Sequence, residues 1–293
     1  MREKITGGTR LTSFLEIPRI EQEKPTPSTI IYAGTSTRRR MFLEYAFPAA
    51  KIVSVSGGLE AEIPDAMQIM RDKLRFALPK AAEIAQKSHS KTGILIASDV
   101  ISRTLAVDAD KITYLANRGK PKSTIAIKNI FEQMSMAGKI SGMNPYYTVE
   151  AASGVLDLKS NELNCKTHTC TIELSPEKID FLKTNEGFET YVNNVKDYFS
   201  SADYLNNGIY TKTSIQDIAG GLDLAVLAKL GAIVSIDNIK RDNPDFKHYL
   251  EYALFHSAIG LHATTLKPYN ANINRAITQC PWLQTITAYA VSA

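Results

Sequence analysis

The chain has 293 residues, a formal net charge of +4, 44% hydrophobic and 22% charged residues, and three cysteines. Such a length supports a substantial core in one large α/β domain or two small ones, and the mild charge suits a phosphate-bearing small molecule as well as RNA. The absence of any apolar run of about 18 residues speaks against a membrane span, the charged start Met1-Arg2-Glu3-Lys4 against a signal peptide, and the odd cysteine count against a disulfide framework, so a cytoplasmic protein is expected.

Residues 1–28 are polar, contain Pro18, Pro25 and Pro27, and read as an irregular arm with one short ordered piece near Leu11–Ile17. Thr29–Ala33 reads as a strand, 39–46 as a helix ended near Pro48, and Lys51–Val55 as a second strand closed by Gly57-Gly58. Pro64 opens a long helical pattern over 65–88, with Met67, Met70, Leu74, Ala77, Leu78, Ala81, Ile84 and Ala85 at spacings of three and four. Pro79 is expected to kink that helix or split it in two. The continuous apolar run Ile94-Leu95-Ile96-Ala97 reads as a buried central strand with Asp99 at its end.

Residues 102–117 read as an excursion, a hairpin or loop, followed by the turn Gly119-Lys120-Pro121 and a helix over 125–136 capped by Ser123. Further strands are expected at Tyr146–Leu158, Cys170–Leu174 and Ala232–Ile236, with a start at Ile209–Tyr210. Helices are expected at Glu177–Thr184, Phe188–Phe199 and His248–His262. The expected organisation is an arm, a main α/β domain over 29–239, and a partly helical C-terminal extension over 240–293.

The chemistry centres on Tyr32-Ala33-Gly34-Thr35-Ser36-Thr37-Arg38-Arg39-Arg40, a strand leading through small and hydroxylated residues into an arginine-rich helix start. Backbone N–H groups at a helix N-terminus and guanidinium forks both favour an anion there. The plainer reading is a solvated basic patch. In an α/β fold, ligands gather at the C-terminal ends of strands. Glu60 follows the second strand and Asp99 the third, so both acids could hold Mg²⁺. Lys80, Lys120 and the arginines could neutralise a polyphosphate, a set that suits attack by water on a phosphoanhydride. Plainer roles are a cap for Asp99, a solvated loop acid for Glu60, the polar face of a helix for Lys80, a bare turn for Lys120 and surface filling for Gln216.

In order, these residues resemble the Maf family of nucleoside triphosphate pyrophosphatases, related in fold to the ITP/XTP pyrophosphatases. The family loop Ser-x-Ser-Pro-Arg-Arg is matched by Gly34-Thr35-Ser36-Thr37-Arg38-Arg39: the second serine and both arginines agree, while Gly34 replaces the first serine and Thr37 the proline. Glu60 matches the acidic position after the second strand, with Glu62 as fallback. Lys80-Ala81 matches a helical Lys-Ala, Ser98-Asp99-Val100-Ile101-Ser102 a strand-terminal Ala-Asp-Thr-Val-Val, and Gly119-Lys120-Pro121 a Gly-Lys-Pro turn. Asn207-Gly208-Ile209-Tyr210 and Ile215-Gln216 match Ala-Gly-x-Tyr and Ile-Gln. The resemblance covers about 29–237.

It implies an α/β fold with a mixed twisted sheet flanked by helices and a cleft between two lobes. It also implies cleavage of a nucleoside triphosphate to the monophosphate and pyrophosphate. Asp99 would activate water or hold metal, and Glu60 would bind Mg²⁺ or Mn²⁺. Ser36, Arg38, Arg39, Lys80, Lys120 and Gln216 would hold phosphate. A homodimer is left open. The alternatives are a Maf-like protein that binds nucleotide without turnover, and a nucleic-acid-binding protein using the same arginines; interleaved aromatics and long basic stripes are sparse, which disfavours the latter. Cys165-Lys166-Thr167-His168-Thr169-Cys170 lacks a fourth ligand and zinc-knuckle spacing, so it reads as strand.

Overall fold

A computed structural model of the chain describes residues 24–58, 65–88, 92–108, 111–118, 124–141, 146–201, 224–236 and 263–279. β1 (Thr29–Ala33) leads through α1 (Thr37–Ala46) to β2 (Lys51–Val55) and α2 (Ala66–Lys87). β3 (Gly93–Asp108) and β4 (Lys111–Arg118) are followed by α3 (Thr124–Ser141), β5 (Tyr146–Asp157) and β6 (Leu163–Glu173). Then come α4 (Pro176–Leu182), α5 (Asn185–Ser201), α6 (Leu224–Lys229), β7 (Ile233–Ile236), α7 (Ala263–Leu266), a 3-10 turn (Lys267–Tyr269) and α8 (Ile273–Gln279). The expectations at Ser123, Ile209–Tyr210, His248–His262 and in the arm before residue 24 lie outside the described residues.

The fold is α/β: a mixed open sheet flanked by helices. Among the described residues its order is β2-β1-β3-β5-β6-β7, with β4 also on β3. β1 runs parallel to β2 and β3, whereas β3–β5, β5–β6 and β6–β7 are antiparallel. One edge of β3 is covered by β5 from Ile94 to Leu105. The other edge is shared: Gly93–Ile96 pairs with β1, and Ser102–Asp108 pairs with β4. Residues 97–101 therefore have no strand partner on that edge among the described residues, and the sheet forks there. The stretch 102–117, expected as an excursion, is the antiparallel pair of β3 and β4, with an irregularity between Thr104 and Leu105. Its β-branched and aromatic residues, among them Thr104, Val107, Ile112 and Tyr114, explain why the strand continues instead of stopping at Ala97.

Strand alternation sends successive side chains to opposite faces and divides the core. On one face, Ile31, Ala33, Leu95, Ala97, Ala152 and Leu156 meet Ala66, Met70, Leu74, Ala77 and Ala81 of α2. Those helix positions recur every three or four residues, so they form one apolar stripe. Gly154 lets the helix come close: a Cβ there would lie 2.4 Å from Met70 Sδ. Asp65 caps α2 by accepting from the amides of Met67 (2.8 Å) and Gln68 (3.1 Å). The helix runs unbroken through Pro79, contrary to the expected kink or split. The proline removes one N–H that would have bonded the carbonyl of Arg75, an exposed residue, so water can satisfy that carbonyl.

On the other face, Ile30, Tyr32, Ile94, Ile96 and Val155 are covered by Phe42 and Leu43 of α1, Phe131 of α3, and residues of α4, α5 and α6. Burying a side chain the size of Phe131 contributes about 1.5–3 kcal/mol. Leu266, Tyr269 and Ile273, from the segment expected as an extension, belong to this same core. Asn270 Nδ2 donates to the last carbonyl of α1, Ala46 O, at 2.8 Å, and Tyr45 Oη donates to Gln279 O at 3.1 Å. Lys24 ties the end of the arm to this segment, its amide donating to Pro268 O at 2.8 Å. Among the described residues no helix is long and apolar enough to cross a membrane.

Candidate functional site

β1 ends at Ala33 and the chain turns sharply into α1. The Gly34 amide donates to Tyr32 O at 3.0 Å and to Val55 O at 2.9 Å, pinning the turn to the end of β2. Residue 34 must be small here, because a Cβ would lie 2.6 Å from Tyr32 Oη. Gly34 is thus matched to a buried tyrosine two residues earlier. Ser36 occupies the N-cap of α1, but its hydroxyl makes no cap hydrogen bond. The first-turn amides of a helix have no intrahelical acceptor, so this end favours an anion.

Arg39 points inward from α1. Its Nη1 donates to Ser98 O at 3.1 Å and, more weakly, to Tyr32 Oη at 3.4 Å. Ser98 lies just past Ile96, the last β3 residue paired to β1, so a guanidinium takes over where the strand ladder stops. Asp99, the next residue, faces the opposite side of the sheet, toward α2. It is 5% exposed, its Oδ1 accepts from the Val100 amide at 2.7 Å, and its Oδ2 lies 2.5 Å from Lys73 Nζ. The Lys73 stem reaches that position past Gly57, where a Cβ would stand 3.1 Å from both Lys73 Cγ and Ala33 O. The fork at residues 97–101 therefore gathers an arginine from one face and a buried lysine–carboxylate pair from the other.

The remaining expected residues divide clearly. Arg38 lies in the first turn of α1. Lys80 is on an exposed part of α2, ion-paired with Glu83 at 2.7 Å, and does not accompany Asp99. Glu60, Lys120 and Gln216 lie outside the described residues. Lys73 was missed by sequence reasoning. Its one signal was position: it stands seven residues, about two helical turns, before Lys80, so both lie along one stripe of α2.

An open groove of 510 Å³ begins at Gly34, Thr35 and Ser36 and continues between α1 and β2. Its polar wall can take both donors and acceptors, as a sugar or a base edge would present. No protein-family model matches the chain, and no curated protein matches it.

Proposed function

We propose that the chain is a Maf-like nucleoside triphosphate pyrophosphatase, releasing a nucleoside monophosphate and pyrophosphate. The observation that carries this reading is the placing of Arg39, on Ser98 O, and of the Lys73–Asp99 pair, on the opposite face, at adjacent residues of β3 where the sheet forks. The unpaired stretch of β3 is where the cleft between two lobes would open. Ser36, Arg38, Arg39, Lys120 and Gln216 would hold phosphate oxygens, and Lys73 would supply the α2 cation that the resemblance gives to Lys80.

In this proposal the incoming polyphosphate draws the Lys73 ammonium toward its oxygens and releases Asp99 Oδ2. The carboxylate then takes a proton from a water whose oxygen bonds to the α-phosphorus. The bond from that phosphorus to the bridging oxygen breaks, and pyrophosphate leaves with the oxygen. Arg39 stabilises the charge that develops. A divalent ion, Mg²⁺ or Mn²⁺, was expected on Asp99 and Glu60. The described residues supply Asp99 alone, against an ammonium, and among them no group of three or more His, Cys, Asp or Glu could hold a metal ion. They do not by themselves fit a cation. Turnover in oxygen-labelled water tests the bond cleaved: the label should enter the monophosphate, and label in pyrophosphate would overturn the mechanism.

A second reading, nucleotide binding without turnover, is favoured by one observation: both oxygens of Asp99 are engaged, by the Val100 amide and by Lys73. Nucleotide binding with no product from any triphosphate would select it.

A further inference from the structure

Arg39 and Arg40 are adjacent on α1 and so point about 100° apart. Arg39 turns toward β3 and the fork. Arg40 turns toward the edge strand and, with Glu44, Ser54 and Ser56, lines the groove that starts at Thr35 and Ser36. The groove and the anion-favouring turn thus share one loop and diverge from it. At 510 Å³ the groove falls within the range of about 300–1,000 Å³ usual for small-molecule sites.

We infer that this groove receives the nucleoside end of the substrate, and that Glu44 is a specificity-determining residue that accepts a hydrogen bond from the base. The inference rests on the nucleotide reading above. Length along the helix decides between sugar and base. Glu44 lies seven residues beyond Thr37, the first residue of α1, or about 10 Å at 1.5 Å per residue. A sugar adjoins the phosphates, whereas a base edge lies farther along, at the distance of Glu44. The hydroxyls of Ser54 and Ser56 border the nearer stretch and suit the sugar. Arg40 Nε donates to Glu44 Oε1 at 2.8 Å, which steadies the carboxylate and leaves its second oxygen as an acceptor for a ring N–H or amino group. Met41 and Val55 add apolar surface for the ring itself.

Calorimetric titration of the protein with four nucleoside triphosphates and with inorganic pyrophosphate tests this. Two variants are used: Glu44→Gln, which removes the charged acceptor at an exposed position, and Ser54→Phe, which fills the groove. Glu44→Gln should weaken the preferred triphosphate about ten-fold, the worth of one charge-assisted hydrogen bond, and narrow the differences between bases. Ser54→Phe should weaken all four. Neither should change pyrophosphate affinity. Wild-type triphosphate affinities in both variants would overturn the inference and leave the nucleotide reading standing. A parallel loss of pyrophosphate affinity would also overturn it, because the groove would then serve the fold. A wild-type protein that binds neither triphosphate nor pyrophosphate would overturn both.

Discussion

Replacing Lys73 with methionine should destabilise the protein far more than a lysine substitution usually does. The Lys73 and Asp99 side chains are only 10% and 7% exposed and lie 2.5 Å apart. An exposed ion pair contributes at most about 1 kcal/mol. Here the substitution strands a carboxylate in a water-poor site with only the Val100 amide as partner, at a cost of about 3–5 kcal/mol. Replacing both residues, as Lys73→Met with Asp99→Leu, removes the stranded charge and should recover most of that loss, because apolar side chains of similar volume can replace a buried pair. The assay is equilibrium urea unfolding of wild type, both single variants and the double variant, read as a double-mutant cycle. If Lys73→Met falls within about 1 kcal/mol of wild type, the pair behaves as a surface contact and the reasoning about the site fails.

Three further outcomes concern α2 and the sheet. Gly154→Ala should cost about 1–3 kcal/mol in urea unfolding, since its Cβ would meet Met70 Sδ at 2.4 Å in a packed core. Asp65→Ala removes the acceptor for two first-turn amides and should cost about 0.5–2 kcal/mol, seen as a lower thermal midpoint. Hydrogen bonds from Lys80, then from Lys87, hold the Glu83 carboxyl down at about 2 against an ordinary 4.5. Its folded value is depressed, so its stabilising share is present above the ordinary glutamate range and is lost as pH falls toward 2. Carboxyl NMR titration should show the low midpoint in wild type and a rise toward 4.5 in Lys80→Met.

Local pattern made much of the fold legible. The runs at Thr29–Ala33, Lys51–Val55 and Ile94–Ala97 and the stripe from Met67 to Ala85 carry their own period, and they correspond to β1, β2, the first part of β3, and α2. The second half of β3 was not legible, because Ser102 and Arg103 break the apolar run and only pairing with β4 and β5 makes them strand. The same nonlocal cause hid Lys73. Lysines 73 and 80 share a stripe, and which one meets Asp99 depends on how far α2 slides along the sheet. That register is set in part by Met70 closing on Gly154, a contact between residues far apart in sequence that periodicity cannot reveal. The C-terminal core residues Leu266, Tyr269 and Ile273 are spaced three and four apart, a helical signal too short to stand out beside a proline.

The central claim is that the fork of β3 hydrolyses a nucleoside triphosphate at its α-phosphorus, with Asp99 taking the proton from water. Pyrophosphate release from a panel of nucleoside triphosphates, with Mg²⁺, with Mn²⁺ and with neither, tests it most directly when wild type and Asp99→Asn are run side by side. The account predicts release of pyrophosphate and monophosphate from at least one triphosphate by wild type, and none by a folded Asp99→Asn. No release from any triphosphate by wild type, or full activity in Asp99→Asn, would contradict it.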